Sequence, residues 1–293
     1  VPAEVTLGYN EMKGYFEAPN YFGATVGRYA NRIRAGRFTL DGQTFQLEQN
    51  NNGNALHGGP AGFDKRLWTV DAVEQGAQAA SVTLRYVSAA GEEGYPGELT
   101  VTATYSLNED NELAVDYAAR TSAPTIVNIT NHSFFNLAGE ASQKTVYDNF
   151  LTIPADATTP VDRTLIPTGD LRPVEGTPFD FRRPTKIGER IRDARDEQIV
   201  FGQGYDENFV IAREAPDSLL FHARLEEPGT GRIMDVFSNQ PGLQLYTGNF
   251  LNGAALGRSG LAYRQGDGIA LEPQFLPDSP NHPHFPSAIL RPG

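Results

Sequence analysis

Arg37-Phe38-Thr39-Leu40, Asp41-Gly42, Gln43-Thr44-Phe45-Gln46-Leu47: two short β-prone runs flank a two-residue break. Asp-Gly supplies the positive φ angles that a tight turn needs, so the stretch reads as a β-hairpin. The same grammar recurs along the chain. Ser81 to Val87 alternates polar and apolar residues with β-branched side chains, and Thr100 to Leu107 does likewise. A polar turn at Asn108-Glu109-Asp110-Asn111 returns the chain through Leu113 to Ala119. A further pair, Leu219 to Leu225 and Arg232 to Phe237, flanks Pro228-Gly229-Thr230-Gly231. Strands joined by short turns predict antiparallel sheets packed face to face.

Helix is scarce. Thr185 to Arg195 is the best candidate, with Ile187 and Ile191 four apart among charged residues, which predicts a turn or two on the surface. From Pro154 to Pro184 the chain is rich in Pro, Thr, Asp and Gly without period, and reads as a long ordered loop crossing the sandwich. Strand signals resume after it, and there is no repeat or low-complexity tract. A single domain over residues 1–293 is the expectation.

The chain has 293 residues, 24 Lys plus Arg against 36 Asp plus Glu, and a net charge of −12. Phosphate backbones and anionic lipid surfaces repel such a chain, so nucleic acid and membrane are excluded as expected partners; a neutral ligand is indifferent to the field. The absence of cysteine removes disulfides, thiolate nucleophiles and zinc-thiolate sites, and leaves the redox compartment open. No apolar run has the length of a bilayer-spanning helix, and the start Val-Pro-Ala-Glu carries no signal segment. The expected address is cytoplasmic, with periplasmic or secreted locations left open because a leader can be removed.

Polar residues concentrate in short segments that turn chemistry does not explain. They are Gly27 to Ile33, Asn54 to Gly59, Asn128 to Leu137, Gly204 to Phe209, Gln240 to Asn249, and Ile269 to Phe275. Glu272 directly follows the apolar Ile269-Ala270-Leu271. It is either exposed at a strand end or desolvated in a pocket, where its pKa would rise toward that of a base working near neutrality. His132 lies between Ile129 and Phe134-Phe135, which predicts an enclosed imidazole. Each residue also has a plain structural reading: His57 and His132 as core histidines, Arg32 as a surface ion pair, Asp206 as a loop cap. Their coincidence in a few short motifs favours a site.

Taken together and in order, these motifs resemble the galactose mutarotase (aldose 1-epimerase) family. The most specific are Asn-His-Ser-Phe-Phe-Asn-Leu at 131–137 and Gln-Pro-Gly-Leu-Gln-Leu-Tyr-Thr-Gly-Asn-Phe at 240–250. The resemblance runs from Tyr21-Phe22-Gly23 to Leu290-Arg291-Pro292-Gly293. It implies an all-β fold, the family's large antiparallel β-sandwich (a supersandwich), with very little helix and a sugar groove on one face. It further implies Glu272 as general base and His132 as general acid. His57 would hydrogen-bond the sugar near its reacting end, and Asn31, Arg32, Asp206 and Gln244 would hold its hydroxyls. The implied reaction exchanges the α and β anomers of a free hexose such as galactose or glucose, with no cofactor and no metal. The implied partner is a monosaccharide, on a monomer or homodimer.

Two departures stand out. The family usually carries His after the Asp of its Gly-Tyr-Asp segment, where this chain has Glu207; an added carboxylate there is expected to alter sugar preference or lower the local potential. Family members also carry several strands before the equivalent of Val5 to Tyr9. The expectation is therefore a domain lacking those N-terminal strands, with a separate N-terminal segment among its candidate partners. The rival readings are a glycoside hydrolase using Asp206 and Glu272 and a carbohydrate-binding protein without chemistry. Phosphorylated hexose is disfavoured because the adjacent basic pair Arg182-Arg183 lies in the loop-rich middle and reads as surface. His282-Pro283-His284 with Asp278 has the look of a metal site but lacks a spaced third ligand, and reads as structural.

Overall fold

The computed structural model describes residues 3–18, 20–212 and 218–293. They gather into two compact units: Val1–Thr25 with Thr130–Pro286, and Val26–Ile129 with Ser287–Gly293. The architecture is all-β, as the strand signals predict.

The first unit is built from two antiparallel sheets. One has six strands in the order Phe134–Phe135, Ile269–Gln274, Gly242–Tyr246, Asp206–Val210, Ala157–Thr159, Arg172–Pro173. The other has four: Thr185–Lys186, Phe150–Thr152, Leu220–Glu227, Arg232–Ser238. Leu151, Ala223 and Leu225 from the smaller sheet share a core cluster with Phe209, Leu243, Leu245, Ile269 and Leu271 from the larger one. Each such leucine contributes roughly 1.5–3 kcal/mol by leaving water. Because side chains alternate along a strand, the residues between these apolar ones face away from the core. The central strands of the large sheet therefore carry an oily face and a polar face.

The second unit holds a four-stranded meander, Thr69–Gln75, Ala79–Ser88, Leu99–Asn108 and Leu113–Thr121. The hairpin forms as read: Arg37 pairs with Gln46 and Leu40 with Gln43, while Asp41 (φ 50°) and Gly42 (φ 79°) make the turn. Phe63, Leu99, Val101 and Ile129 form its buried cluster.

Two expectations fail. Thr185 to Arg195 is not an α-helix: Thr185–Lys186 is a strand paired with Phe150 and Leu151, followed by a 3₁₀ turn at Ile187–Glu189. Ile187 and Ile191 do turn inward, but Gly188 packs against the Tyr147 backbone and the chain serves as a sheet edge. The short α-helices lie instead at Met12–Glu17 and Glu197–Gly202, the latter capped by Asp196 through the Gln198 amide. Residues 154–184 are also more than a loop, since Ala157–Thr159 and Arg172–Pro173 complete the six-stranded sheet. Val174, Phe179 and Phe181 from the same segment enter the core. Among the described residues no helix is long and apolar enough to cross a membrane.

Candidate active site

The polar face of the six-stranded sheet is where the expected site residues of the first unit meet. Antiparallel register sets Thr159 beside Asn208, Asn208 beside Gln244, and Gln244 beside Glu272. Directly opposed residues share a face, with side chains close enough to touch. Phe134 pairs with Ala270, so two residues earlier His132 arrives opposite Glu272. His132 Nε2 stands 3.5 Å from Glu272 Oε1. Asp206, two residues before Asn208, accepts a hydrogen bond from Gln244 Nε2 at 2.7 Å. Pairing across neighbouring strands thus brings His132, Glu272, Gln244 and Asp206 together.

Glu272 lies inside its strand and is 2% exposed, so of the two sequence readings desolvation is the correct one. His132 is enclosed as expected, by the rings of Phe134 (centroids 5.1 Å apart), Tyr21 (5.7 Å) and Tyr246 (6.4 Å). Burial pushes its pKa down to about 4, so the unliganded protein carries a neutral imidazole at pH 7.

Glu207 breaks the alternation. Asp206 and Asn208 take the polar face, so Glu207 falls on the core face beside Phe209, paired with Leu245 and 1% exposed. Burial lifts its pKa well above the carboxylate range; the Thr158 hydroxyl opposes this and the Asp206 charge adds to it. Burial therefore favours the protonated carboxyl, and the side chain lies on the core face, opposite to Asp206 and Asn208. The unfolded chain releases this proton above about pH 4.5, whereas the folded chain keeps it. Stability linked to Glu207 is thus full below that pH and is lost as pH rises. Glu207→Gln should raise the melting temperature relative to the parent, by an amount that grows from pH 5 to pH 8. A difference independent of pH in thermal melts would rule this out.

In the second unit Asn31, Arg32 and His57 also form one group. Arg32 pairs with Leu56 across a short ladder, and the His57 amide donates to Asn31 O at 3.0 Å. The Asn31 amide donates to His57 Nδ1 at 3.2 Å, which leaves the ring proton on Nε2. Arg32 is 8% exposed, so it is not a surface residue, and its Nε donates to Asn51 Oδ1 at 3.1 Å. His57 (φ 52°) and Gly58 (φ 88°) hold a tight bend in which any Cβ at Gly58 would collide with the Gly27 carbonyl oxygen. The glycine is needed for that approach.

His282 and His284 go to different partners. His282 Nε2 lies 3.2 Å from Asp278, and His284 Nε2 lies 2.7 Å from the Gly169 carbonyl oxygen. Arg182 is a surface residue bound to Asp180 at 2.8 Å. Sequence reading missed Thr159, Asn208 and Gln274, which share the polar face with Gln244 and Glu272. The signal was available: Asn208 is two residues beyond Asp206 and Gln274 two beyond Glu272, the spacing of one strand face.

The aldose 1-epimerase family model matches residues 1–293. This chain belongs to the aldose 1-epimerase family. Its relatives include galactose mutarotase of Sus scrofa, 47% identical over 99% of this chain and 81% of the relative. Aldose 1-epimerase of Escherichia coli K12 is 40% identical over 99% of this chain and 82% of its own. Among solved structures, an aldose epimerase homologue from C. elegans superposes with a TM-score of 0.86 at 32% identity, covering 99% of this chain and 84% of the other. Galactose 1-epimerase from Lactobacillus acidophilus gives 0.84 at 31%, covering 98% and 82%. The sheets described above are thus a fold shared with both of these epimerase structures.

Proposed function

We propose that this epimerase-family chain, residues 1–293 acting as one domain, interconverts the α and β anomers of a free hexose such as D-galactose or D-glucose. The observation that carries the reading is the His132–Glu272 pair, 3.5 Å apart on one buried sheet face. Ring opening removes a proton from the C1 hydroxyl and delivers one to the ring oxygen. Both oxygens are bonded to the same carbon, so the groups that serve them must stand side by side. Glu272 takes the hydroxyl proton as the C1–O bond becomes a carbonyl; the bond from C1 to the ring oxygen breaks, and His132 protonates that oxygen. Rotation of the freed aldehyde and the reverse transfers close the ring on the other face. The proton inventory balances, and the chemistry calls for no cofactor.

Burial opposes the imidazolium that this scheme needs, while a carboxylate 3.5 Å away favours it. The two groups therefore titrate as a pair, and the limbs of a bell-shaped pH–rate profile belong to the pair rather than to either residue. Asp206 and Gln244, already bonded to each other, offer fixed polar partners for sugar hydroxyls. By resemblance to the family, His57, whose ring proton is on Nε2, is a further proposed sugar ligand, as are Asn31 and Arg32. A net charge of −12 suits a neutral sugar.

Polarimetry of freshly dissolved α-D-galactose and α-D-glucose tests the reading. The protein should speed the approach to anomeric equilibrium without altering its position. Release of sugar from a nitrophenyl glycoside, with no acceleration of mutarotation, would give the site to a hydrolase built on Asp206 and Glu272. Retardation on a sugar column with neither activity would make it a binding protein.

A further inference from the structure

The polar face extends past the residues that the epimerase reading uses. Asn208 and Gln274 are 2% and 0% exposed, and both polar atoms of each amide have no hydrogen-bond partner among the described residues. Thr159 Oγ1 and Gln244 Oε1, on the same face, share that condition. Gly242 stands opposite both Val210 and Gln274, and a Cβ there would lie 2.9 Å from Asn208 Oδ1 and 3.1 Å from Nδ2. The Asn208 amide thus lies over the glycine, toward the strand that carries Gln274 and Glu272. A buried primary amide left unsatisfied costs about 1–3 kcal/mol, and folded proteins avoid this by enclosing water with two to four polar partners. Six such atoms on one sheet face meet that description.

We propose that Asn208 and Gln274 are positioning residues for the anomer exchange, holding the Gln244 and Glu272 side chains in register through water enclosed between their amides. The inference rests on the epimerase reading. Gln244 donates its Nε2 to Asp206 while its buried Oε1 has no protein partner among the described residues, so it links Asp206 to the unsatisfied amides beside Glu272. Loss of a supporting amide lets the base drift, and displacements near 1 Å cost on the order of 100-fold in rate.

The test is kcat and KM for α-D-galactose, with the pH profile of kcat/KM, in Asn208→Ala and Gln274→Ala. Each should lose about 10- to 100-fold in kcat with KM changed by less than about threefold. The acidic limb of the His132–Glu272 pair should move to higher pH, because removing donors disfavours the charged form of the pair's carboxylate member. A purely structural role would lower the melting temperature and leave that limb in place. Asn208→Ser and Gln274→Asn keep a polar group and guard against misfolding; they should show smaller losses with the limb displaced in the same direction. Folded variants with parental kcat and limb overturn the inference while parental activity keeps the epimerase reading intact. A parent protein that does not accelerate mutarotation overturns both.

Discussion

Glu272→Gln is expected to lower enzymatic mutarotation of α-D-galactose by about 10³- to 10⁴-fold while leaving the protein folded. The amide matches the carboxylate in size and sits in the same pocket opposite Gln244 and beside His132. It cannot accept the C1 hydroxyl proton, so the bond to the ring oxygen has no push. Because the substitution removes a charge from a site that is 2% exposed, it leaves no uncompensated buried ion and should not collapse the sheet. Polarimetry or NMR exchange spectroscopy gives the rate, and circular dichroism the fold. A rate within threefold of the parent would remove Glu272 from the reaction.

His132→Asn should cost a comparable factor, about 10²- to 10⁴-fold in kcat, because the donor to the ring oxygen is lost. The double variant should be hardly slower than the worse single one, as expected of groups that act as a unit. Additive losses would instead place the two residues in separate steps. The same substitution has a signature in stability. With a folded pKa of about 4 against 6.5 unfolded, His132 stays neutral in the fold while the unfolded chain gains its proton. Its contribution is therefore full above pH 6.5 and is lost as pH falls toward 4. Denaturant melts of His132→Asn should lack that part of the acid slope. A slope equal to the parent's would mean that the imidazole is not held neutral.

Much of the fold was legible because strands and turns are local. Asp41-Gly42 set one hairpin and the Asn108 to Asn111 turn joined another pair, and both fell where the sequence put them. Thr185 to Arg195 misled because isoleucines four apart satisfy a helical period even when the chain runs along a sheet edge. Ala157–Thr159 was missed because three residues are too short a run to show alternation. At the site, His132 and Glu272 were found through motif likeness, and no local rule predicts that residues 140 positions apart in the chain face each other. The side taken by Glu207 follows only from strand register, which sets it opposite to its sequence neighbours Asp206 and Asn208.

That two-sided sheet separates inheritance from invention. At Phe209, Leu243, Leu245 and Leu271 any change is paid in cohesion of the sandwich, whereas at Asp206, Asn208 and Gln244 a change falls on the polar side of the sheet. Change on the polar side can therefore proceed through alternate positions of the same strands while the scaffold stands. Insertion or deletion of a single residue in those strands has no such freedom, since it would trade the two sides and turn the chemistry into the oil.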